Sequence, residues 1–343
     1  MGQPPSARDV LASTSSSMLA CQRVAGITIV LWPQFRLSSS FKNVRSEKNR
    51  AVPPNSSSAA NLRSDGLLNS NSLSDGGAPM AAKATNPGCV LITGASSGIG
   101  RELAKVFAAE GYHPVLLARS RDKLQQLAQE LKSLHGAKVT VMPADLSDPE
   151  APRAVFERLR EHGIDIDILV NDAGLLFEGD FAAIPLDDHL RLLHVNIVAL
   201  TVLTRLFLEP MLHRSRGRIL NVASVGAFLP IPSLATYAAS KAYVLSFSEA
   251  LSEELKGTGV TVTALCPGFT NTAMMRGSPR GTRLPALMVM DAKTVAKEGY
   301  SACLAGKALH VAGLSNDFAA WGIQYLPRSL VRTVGGLVAR QWT

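Results

Sequence analysis

The chain has 343 residues, of which 46% are hydrophobic and 18% charged, enough apolar material for a sizeable core. The longest early apolar run, residues 24–32, is far shorter than the roughly 18 residues of a membrane-spanning helix, which excludes an ordinary multi-pass membrane protein. Of the net charge of +8, residues 1–83 carry +5, with nine Lys/Arg and four Asp/Glu. The remaining chain is almost balanced, so we expect no nucleic-acid partner.

Residues 1–83 differ in composition from the rest of the chain. They contain sixteen serines, and no helical or strand periodicity lasts for more than a few residues. Such a segment buries too little apolar surface to offset the entropy of ordering, so we predict a disordered extension. Two alternatives stay open. The Ser-rich, basic composition is also typical of an organellar targeting segment, and translation could instead begin at Met80.

From residue 88 onward, β-rich runs alternate with stretches of helical periodicity. Strands are predicted at 89–93, 114–118, 138–142, 166–170, 218–222, 260–265 and 308–311, and helices at 100–110, 122–134, 149–162, 186–212, 235–256 and 292–304. This alternation predicts an α/β fold, a single domain with a Rossmann-type, doubly wound, seven-stranded parallel sheet. We place the domain at residues 84–312 and a C-terminal amphipathic helical extension at 313–343.

The first strand-to-helix turn, residues 93–100, reads TGASSGIG. Glycines permit a sharp turn and a close approach of the backbone to a pyrophosphate, whose charge then meets the helix N-terminus. Because this G-x-x-x-G-x-G pattern follows a strand and opens a helix, it predicts a dinucleotide site rather than a plain tight turn.

The end of the second predicted strand bears on which dinucleotide binds. An NAD site places Asp or Glu there, whereas NADP needs a cation for its extra phosphate. Residues 116–121 read LLARSR, with no carboxylate, and the Arg119 guanidinium can form a fork to a phosphate. We therefore predict NADP(H); the alternative is a solvated arginine near a helix start.

Further motifs follow in order along the chain. Residues 171–174 read NDAG, Ser224 follows the fifth strand, residues 237–241 read YAASK, and residues 267–272 read PGFTNT. Together with the glycine-rich turn, this set resembles the short-chain dehydrogenase/reductase family over roughly residues 88–312. Asp172 departs from the family's Asn-Asn-Ala-Gly motif, and we expect it to alter packing rather than catalysis.

The resemblance implies roles for individual residues. Tyr237 is expected to be the general acid/base, Lys241 to hold the nicotinamide ribose, Ser224 to orient the substrate oxygen and Asn196 to support a proton-relay water. The implied cofactor-binding residues are Gly94, Ser96, Ser97, Gly98, Ile99, Gly100, Arg119, Asp145, Leu146, Asn171, Ala173, Gly174, Tyr237, Lys241, Pro267, Gly268, Thr270 and Thr272. It also implies a homodimer or homotetramer formed through the helices that contain Asn196 and Tyr237.

The pair Tyr237 and Lys241 supports the catalytic interpretation independently. Residues four apart on a helix share one face, and a nearby cation favours the phenolate. With Lys241 and an oxidised nicotinamide ring beside it, we expect the tyrosine pKa to fall below its usual ~10. Each motif alone has a plainer interpretation, here a solvated aromatic–cation pair. Unrelated surface residues, however, have no reason to reproduce the whole ordered set.

The substrate is indicated only by two apolar segments. Residues 274–290 contain four methionines and three arginines, which predicts either an adaptable apolar wall with a site for an anion or an exposed loop. Leu330, Val331, Val334, Leu337 and Val338 recur at helical spacing. They predict a helix that packs on the domain or a second subunit, or one that rests on a membrane surface.

We therefore predict an NADPH-dependent carbonyl reductase, acting on a lipophilic ketone. The alternatives are a 3-oxoacyl thioester reductase and a catalytically silent NADPH-binding module. Four scattered cysteines, without a CxxC pair or a His/Cys cluster, predict a reducing, cytoplasmic compartment and no metal.

Overall fold

The structure, a computed structural model, describes residues 21–24, 27–30, 87–276 and 289–340. The chain divides into two units, Met1–Gly76 and Gly77–Thr343. In the first, strands β1 (Cys21–Val24) and β2 (Ile27–Val30) pair antiparallel. The sequence pattern does not predict this hairpin, because each strand has only four residues. The predictions of disorder or targeting for the rest of 1–83 lie outside the described residues.

Within the described part of the second unit, the core is a parallel sheet of seven strands. They are β3 (Cys89–Thr93), β4 (His113–Ala118), β5 (Thr140–Pro143), β6 (Ile168–Asn171), β7 (Gly217–Val222), β8 (Val260–Cys266) and β9 (Leu309–Val311). Their order, β5-β4-β3-β6-β7-β8-β9, confirms the doubly wound prediction. Connections leave β3 and β6 in opposite directions along the sheet, and ligands bind beyond the carboxyl ends of strands at such a reversal.

Helices cover both faces of this sheet. The list is α1 (Gly98–Ala109), α2 (Arg121–His135), α3 (Ala151–Glu161), α4 (Leu186–Leu193), α5 (Leu200–His213), α6 (Ala235–Glu254), α7 (Ala273–Arg276) and α8 (Ala292–Leu304). Side chains of α1, α2 and α8 share one core cluster with Val90 and Ile92 of β3. Side chains of α3 and α5 form a second cluster with Leu91, as the alternation of side chains along a strand requires.

The predicted helix over 186–212 has the expected extent but not one continuous winding. A π-helix, His194–Ala199, joins α4 to α5, and π segments inside helices frequently mark functional sites. By length and composition alone the stretch Leu186–His213 would also suit a membrane, with a mean hydropathy of 1.6. Here its Leu203 and Phe207 are buried in the sheet-covering core, so it serves as a core helix.

The C-terminal extension is two helices rather than one. They are α9 (Leu314–Gln324) and α10 (Arg328–Arg340), and Pro327 lies directly before α10, where its fixed backbone angle suits a helix start. A Cβ at Gly335 would collide with the Pro230 carbonyl oxygen, so α10 packs closely against the loop that precedes α6.

Candidate active site

A cavity of about 480 Å³ lies at the carboxyl ends of the central strands. The predicted residues that line it are Gly94, Ser96, Ser97, Gly98, Ile99, Arg119, Asp145, Leu146, Ala173, Gly174, Ser224, Tyr237, Lys241, Pro267, Gly268, Thr270 and Thr272. The sheet therefore brings together in one place residues that are far apart in the chain.

The glycine-rich turn fits a dinucleotide pyrophosphate. Gly94 and Gly98 have φ angles of +72° and +58°, which favour glycine. A Cβ at Gly98 would lie 3.1 Å from the Thr272 side chain and would narrow the cavity. Helix α1 begins at Gly98. The side chain of its N-cap residue, Ser97, makes no capping hydrogen bond, and the first turn of the helix contains no acidic residue. This positive helix end can accept a phosphate.

Two cations line the cavity beyond β4 and β5. Arg119 follows β4, and Lys123 lies in the first turn of α2. Asp145, which follows β5, accepts hydrogen bonds from the Ser147 backbone N–H and hydroxyl. Burial acts to raise the pKa of Asp145, but these hydrogen bonds and the charges of Arg119 and Arg191 together outweigh it and lower that pKa. Lys123 is therefore a second cation close in the chain to Arg119, the residue that we predict binds the extra phosphate of NADP.

Ser224 and Tyr237 line a different part of the same cavity. Ser224 caps the 3₁₀ helix Val225–Phe228, and its Oγ accepts the Gly226 N–H at 3.0 Å. The Ser224 and Tyr237 side chains are hydrogen-bonded. One turn along α6, Lys241 is buried and its Nζ donates to the Val222 carbonyl oxygen at 2.8 Å. This arrangement can orient an oxygen atom and exchange a proton with it.

In the chain alone, the surroundings of Tyr237 raise its pKa, and the lowering expected with an oxidised nicotinamide ring beside Lys241 stays a prediction. Burial raises the pKa of Tyr237, the hydrogen bond with Ser224 opposes this, and the charge of Asp172 adds to it. Lys241 Nζ lies 5.8 Å from the Tyr237 ring centroid and is held at a carbonyl oxygen. Tyr237 is therefore a phenol at neutral pH, the form that donates a proton.

Three predicted residues do not line the cavity. Asn171 is buried in the sheet, where its Nδ2 donates to Asn221 Oδ1 at 2.9 Å and to Thr204 Oγ1 at 3.2 Å. Its predicted contact with the cofactor stays a prediction. Gly100 is buried behind the turn. Asn196 is buried in the π-helix.

Asn196 is hydrogen-bonded to the segment that follows β6. Its Oδ1 accepts the Leu175 N–H at 2.8 Å, while its Nδ2 donates to the Leu175 carbonyl oxygen and to Ser240 Oγ, both at 3.0 Å. These hydrogen bonds connect the π-helix with α6 and with the cavity wall. The role of Asn196 at a relay water stays a prediction.

Comparison with known proteins assigns the family. Residues 88–282, more than half of the chain, match the family model described as short chain dehydrogenase. The chain belongs to the short-chain dehydrogenase family. It is therefore an oxidoreductase, and the order of motifs is confirmed as a family signature.

The relatives of this short-chain dehydrogenase include very-long-chain 3-oxoacyl-CoA reductases from several organisms. The one from Phaeosphaeria nodorum is 35% identical over 242 residues, covering 68% of each chain. The one from Anas platyrhynchos is 32% identical, covering 70% of this chain and 76% of the relative. A solved short-chain dehydrogenase from Sphingobium yanoikuyae in complex with NADPH superposes with a TM-score of 0.62 at 32% identity, covering 71% of this chain and 97% of the other.

Sequence reasoning missed several residues of this dehydrogenase's cavity. Lys123 lies four residues after Arg119, a spacing that could have revealed it. Ile231 and Leu234 come from the loop before α6, and no local signal marks them. Met274 and Met275 do line the cavity as expected, whereas residues 277–288, with Arg280 and Arg283, lie outside the described part.

Asp172 is another cavity residue outside the predicted set. It lines the cavity and interacts electrostatically with Lys241 and Tyr237. That it alters packing rather than catalysis stays a prediction.

Proposed function

We propose that this short-chain dehydrogenase is an NADPH-dependent carbonyl reductase acting on a lipophilic ketone. The observation that carries the proposal is the common cavity, in which the Ser224–Tyr237 pair shares its walls with an apolar set. That set comprises Leu176, Val195, Ile231, Leu234, Phe269, Met274 and Met275. Binding sites of this composition favour an apolar substrate with one polar group to orient.

The choice of NADPH rests on charge. Arg119 and Lys123 line the cavity where β4 ends, and no carboxylate follows that strand directly. A 2′-phosphate needs such cations, whereas a free ribose hydroxyl needs a carboxylate. The relative from Sphingobium yanoikuyae in complex with NADPH agrees with this choice.

The chain's own residues supply the proton chemistry. NADPH, when bound, would supply the hydride for the carbonyl carbon. Ser224 orients the carbonyl oxygen, and Tyr237 donates its hydroxyl proton to that oxygen, which completes the alcohol. Lys241 uses one of its three N–H groups for the Val222 carbonyl oxygen, so the others can hold a ribose hydroxyl and stabilise the phenolate left on Tyr237.

A 3-oxoacyl thioester is the second candidate substrate. The relatives named very-long-chain 3-oxoacyl-CoA reductases favour it, and so does the apolar wall with its two adaptable methionines. A silent NADPH-binding module is not supported, because Ser224, Tyr237 and Lys241 are assembled as a working set.

We also propose a compartment, a subunit interface and a membrane contact for this enzyme. Among the described residues Cys89, Cys266 and Cys303 are free thiols, which suits a reducing, cytoplasmic compartment. Exposed Leu186 and Leu190 of α4 offer an apolar face for a homodimer or homotetramer. Exposed Leu330 and Leu337 of α10, together with the arginines of that helix, suit peripheral contact with an anionic membrane surface.

The test is NADPH consumption by the purified full chain with two matched series of substrates, 2-ketones and 3-oxoacyl-CoA thioesters of rising chain length. We expect kcat/KM to rise with chain length in at least one series. A rise confined to the thioesters would select the second candidate. Equal rates with short polar carbonyls would contradict the lipophilic pocket.

A further inference from the structure

His189 of α4 is a buried histidine whose two ring nitrogens bind different segments of the chain. The residue is only 6% exposed, and its Nε2 lies 3.1 Å from the carbonyl oxygen of Phe181. Because a carbonyl oxygen can only accept, Nε2 carries a proton and donates this hydrogen bond. The other nitrogen, Nδ1, lies 2.8 Å from Thr236 Oγ1 in the first turn of α6 and, in the neutral ring, accepts from that hydroxyl. His189 therefore connects two segments that are far apart in the chain.

The Phe181 ring makes a second contact with the same histidine. The two rings stack with their centroids 4.4 Å apart and an angle of 29° between their planes. Phe181 is otherwise 64% exposed, so the stack covers the face of the ring that solvent does not reach. Near it the chain turns tightly, with the Ile184 N–H donating to the Asp180 carbonyl oxygen at 3.2 Å. Residues 177–184, which we call the β6–α4 loop, are therefore held against His189.

The β6–α4 loop is also bound directly to the loop before α6, residues 229–234. The Gly179 N–H donates to the Ser233 carbonyl oxygen at 3.0 Å. Ser233 has a φ of +63°, a left-handed conformation that is unfavourable for residues other than glycine. Such a conformation persists where surrounding contacts hold it, and the bond from Gly179 is one of these contacts. The two loops therefore form one unit.

Hydrogen bonds matter at this junction because the packing between the two loops is incomplete. A cavity of about 60 Å³ lies there, lined by residues of both loops and of α4, among them Phe177, Leu192 and Ser233. His189 borders the same space. Where side chains do not fill the space, close packing cannot by itself fix the position of a loop. The position of the two loops therefore depends on the hydrogen bonds of His189 and Gly179.

Both loops lead into the apolar wall of the active-site cavity. Leu176, directly before the β6–α4 loop, lines that cavity, and so do Ile231 and Leu234 of the loop before α6. Thr236, the partner of His189, lies two residues beyond Leu234. His189 itself does not line the cavity. It can therefore affect a bound substrate only through the position of these neighbours.

We propose that His189 is a positioning residue that holds the two loops together and thereby sets how well the enzyme accepts a long apolar chain on its substrate. The proposal rests on the proposed function, because this wall decides specificity when the substrate is a lipophilic ketone. The reacting groups are held by other contacts, Ser224 by the Gly226 N–H and Lys241 by the Val222 carbonyl oxygen. Loss of the His189 contacts therefore weakens the binding of the apolar chain and leaves the chemical step largely unchanged.

The test compares the full chain with His189→Leu on 2-ketones of rising chain length at saturating NADPH. Leucine fills much of the space of the ring and forms neither hydrogen bond. We expect the KM for 2-dodecanone to rise about tenfold. The KM for 2-hexanone, and kcat for both ketones, should change by less than about twofold. A purely structural role would instead lower the activity with every ketone alike.

Two further variants and a control sharpen this test. Thr236→Val removes the hydroxyl that His189 binds without replacing the buried histidine, so it must raise the KM for 2-dodecanone even if His189→Leu does not fold. His189→Gln can keep a donor for the Phe181 carbonyl oxygen and should recover part of the loss. His213→Leu, which changes an exposed histidine at the end of α5, is the matched control and should behave like the wild type. An unchanged KM in His189→Leu and Thr236→Val, or an equal rise for both ketones, would overturn the inference.

Binding measured without turnover separates this inference from the proposed function. With NADP⁺ present the cofactor has no hydride to give, so calorimetry measures the affinity for each ketone alone. We expect His189→Leu to bind 2-dodecanone about tenfold more weakly than the wild type, and 2-hexanone equally well. If no ketone or thioester is reduced but this difference is found, the proposed function fails and the inference stands. If ketones are reduced but neither KM nor binding depends on His189, the proposed function stands and the inference fails. If the wild type does not bind 2-dodecanone, both fail.

Discussion

At the residue scale, the proposed chemistry depends on Tyr237, whose surroundings raise its pKa. Burial raises the pKa of Tyr237, and the charge of Asp172 adds to the rise. A group with a raised pKa stays protonated through neutral pH and loses its proton only as the pH rises through that raised value. We therefore expect Tyr237 to remain able to donate its proton through neutral pH and reduction to fall on the alkaline side, as measured by the pH profile of kcat/KM.

Cofactor selectivity is also decided by single residues. Replacing Arg119 by Asp removes the cation expected at the 2′-phosphate and adds a carboxylate suited to a ribose hydroxyl. We expect the affinity for NADPH to fall at least about tenfold more than the affinity for NADH, which is roughly 1.4 kcal/mol of discrimination. Fluorescence titration with both cofactors measures it.

Arg121→Asp is the control for this change. Arg121 is exposed at the start of α2 and does not line the cavity, so it tests the effect of the same charge change nearby. Equal weakening of NADPH and NADH by Arg119→Asp, or the same selectivity in Arg121→Asp, would refute the assignment.

At the element scale, the sheet was predictable from sequence and the cavity wall was not. Buried β-rich runs show where strands lie, so the predicted and observed strands agree to within about two residues. The π-helix that holds Asn196 lies within the apolar stretch 186–212, for which the sequence pattern predicts one helix without it. The position of Asp172 depends on Gly100, which is distant in the chain and meets it only when the sheet forms.

The packing of α10 on the cavity loop gives a prediction about an element. Gly335→Ala would push a Cβ against the Pro230 carbonyl oxygen, in the loop that also supplies Ile231 to the cavity. We expect a loss of about 1–3 kcal/mol of stability from this overpacking, together with a lower kcat/KM for long substrates. Thermal unfolding and the chain-length assay measure the two effects.

The neighbouring glycine provides the matched control. A Cβ at Gly336 meets nothing within 4 Å, so Gly336→Ala should stabilise the helix by about 0.5–1 kcal/mol and leave the substrate preference unchanged. If Gly335→Ala behaves like Gly336→Ala, α10 does not pack on the loop as described.

At the scale of the whole molecule, the exposed apolar side chains of the C-terminal helices concern where the enzyme works. Leu314 is 91% exposed, Leu330 49% and Leu337 55%. Arg328 and Arg332 of α10 are exposed as well. For a reductase of lipophilic ketones, contact with a lipid surface would bring the substrate close to the enzyme.

We expect the full chain to sediment with vesicles that contain phosphatidylserine and to do so several-fold less when Leu330→Ser and Leu337→Ser are combined. Leu134→Ser, which changes a leucine of α2 that is 66% exposed, is the control and should sediment like the wild type. No sedimentation of the wild type, or equal sedimentation of all three proteins, would contradict a lipid-facing role. A change of oligomeric state in the double variant alone would instead assign these leucines to a subunit interface.

The measurement that tests the account most directly is the turnover of Tyr237→Phe beside the wild type, with NADPH binding measured on both proteins. Phenylalanine keeps the ring in its buried place and removes only the hydroxyl that donates the proton. We expect NADPH to bind both proteins with similar affinity and the reduction of a good substrate to fall by about 10²–10⁴-fold in the variant. Turnover by Tyr237→Phe close to that of the wild type would show that the proton comes from elsewhere and would contradict the account.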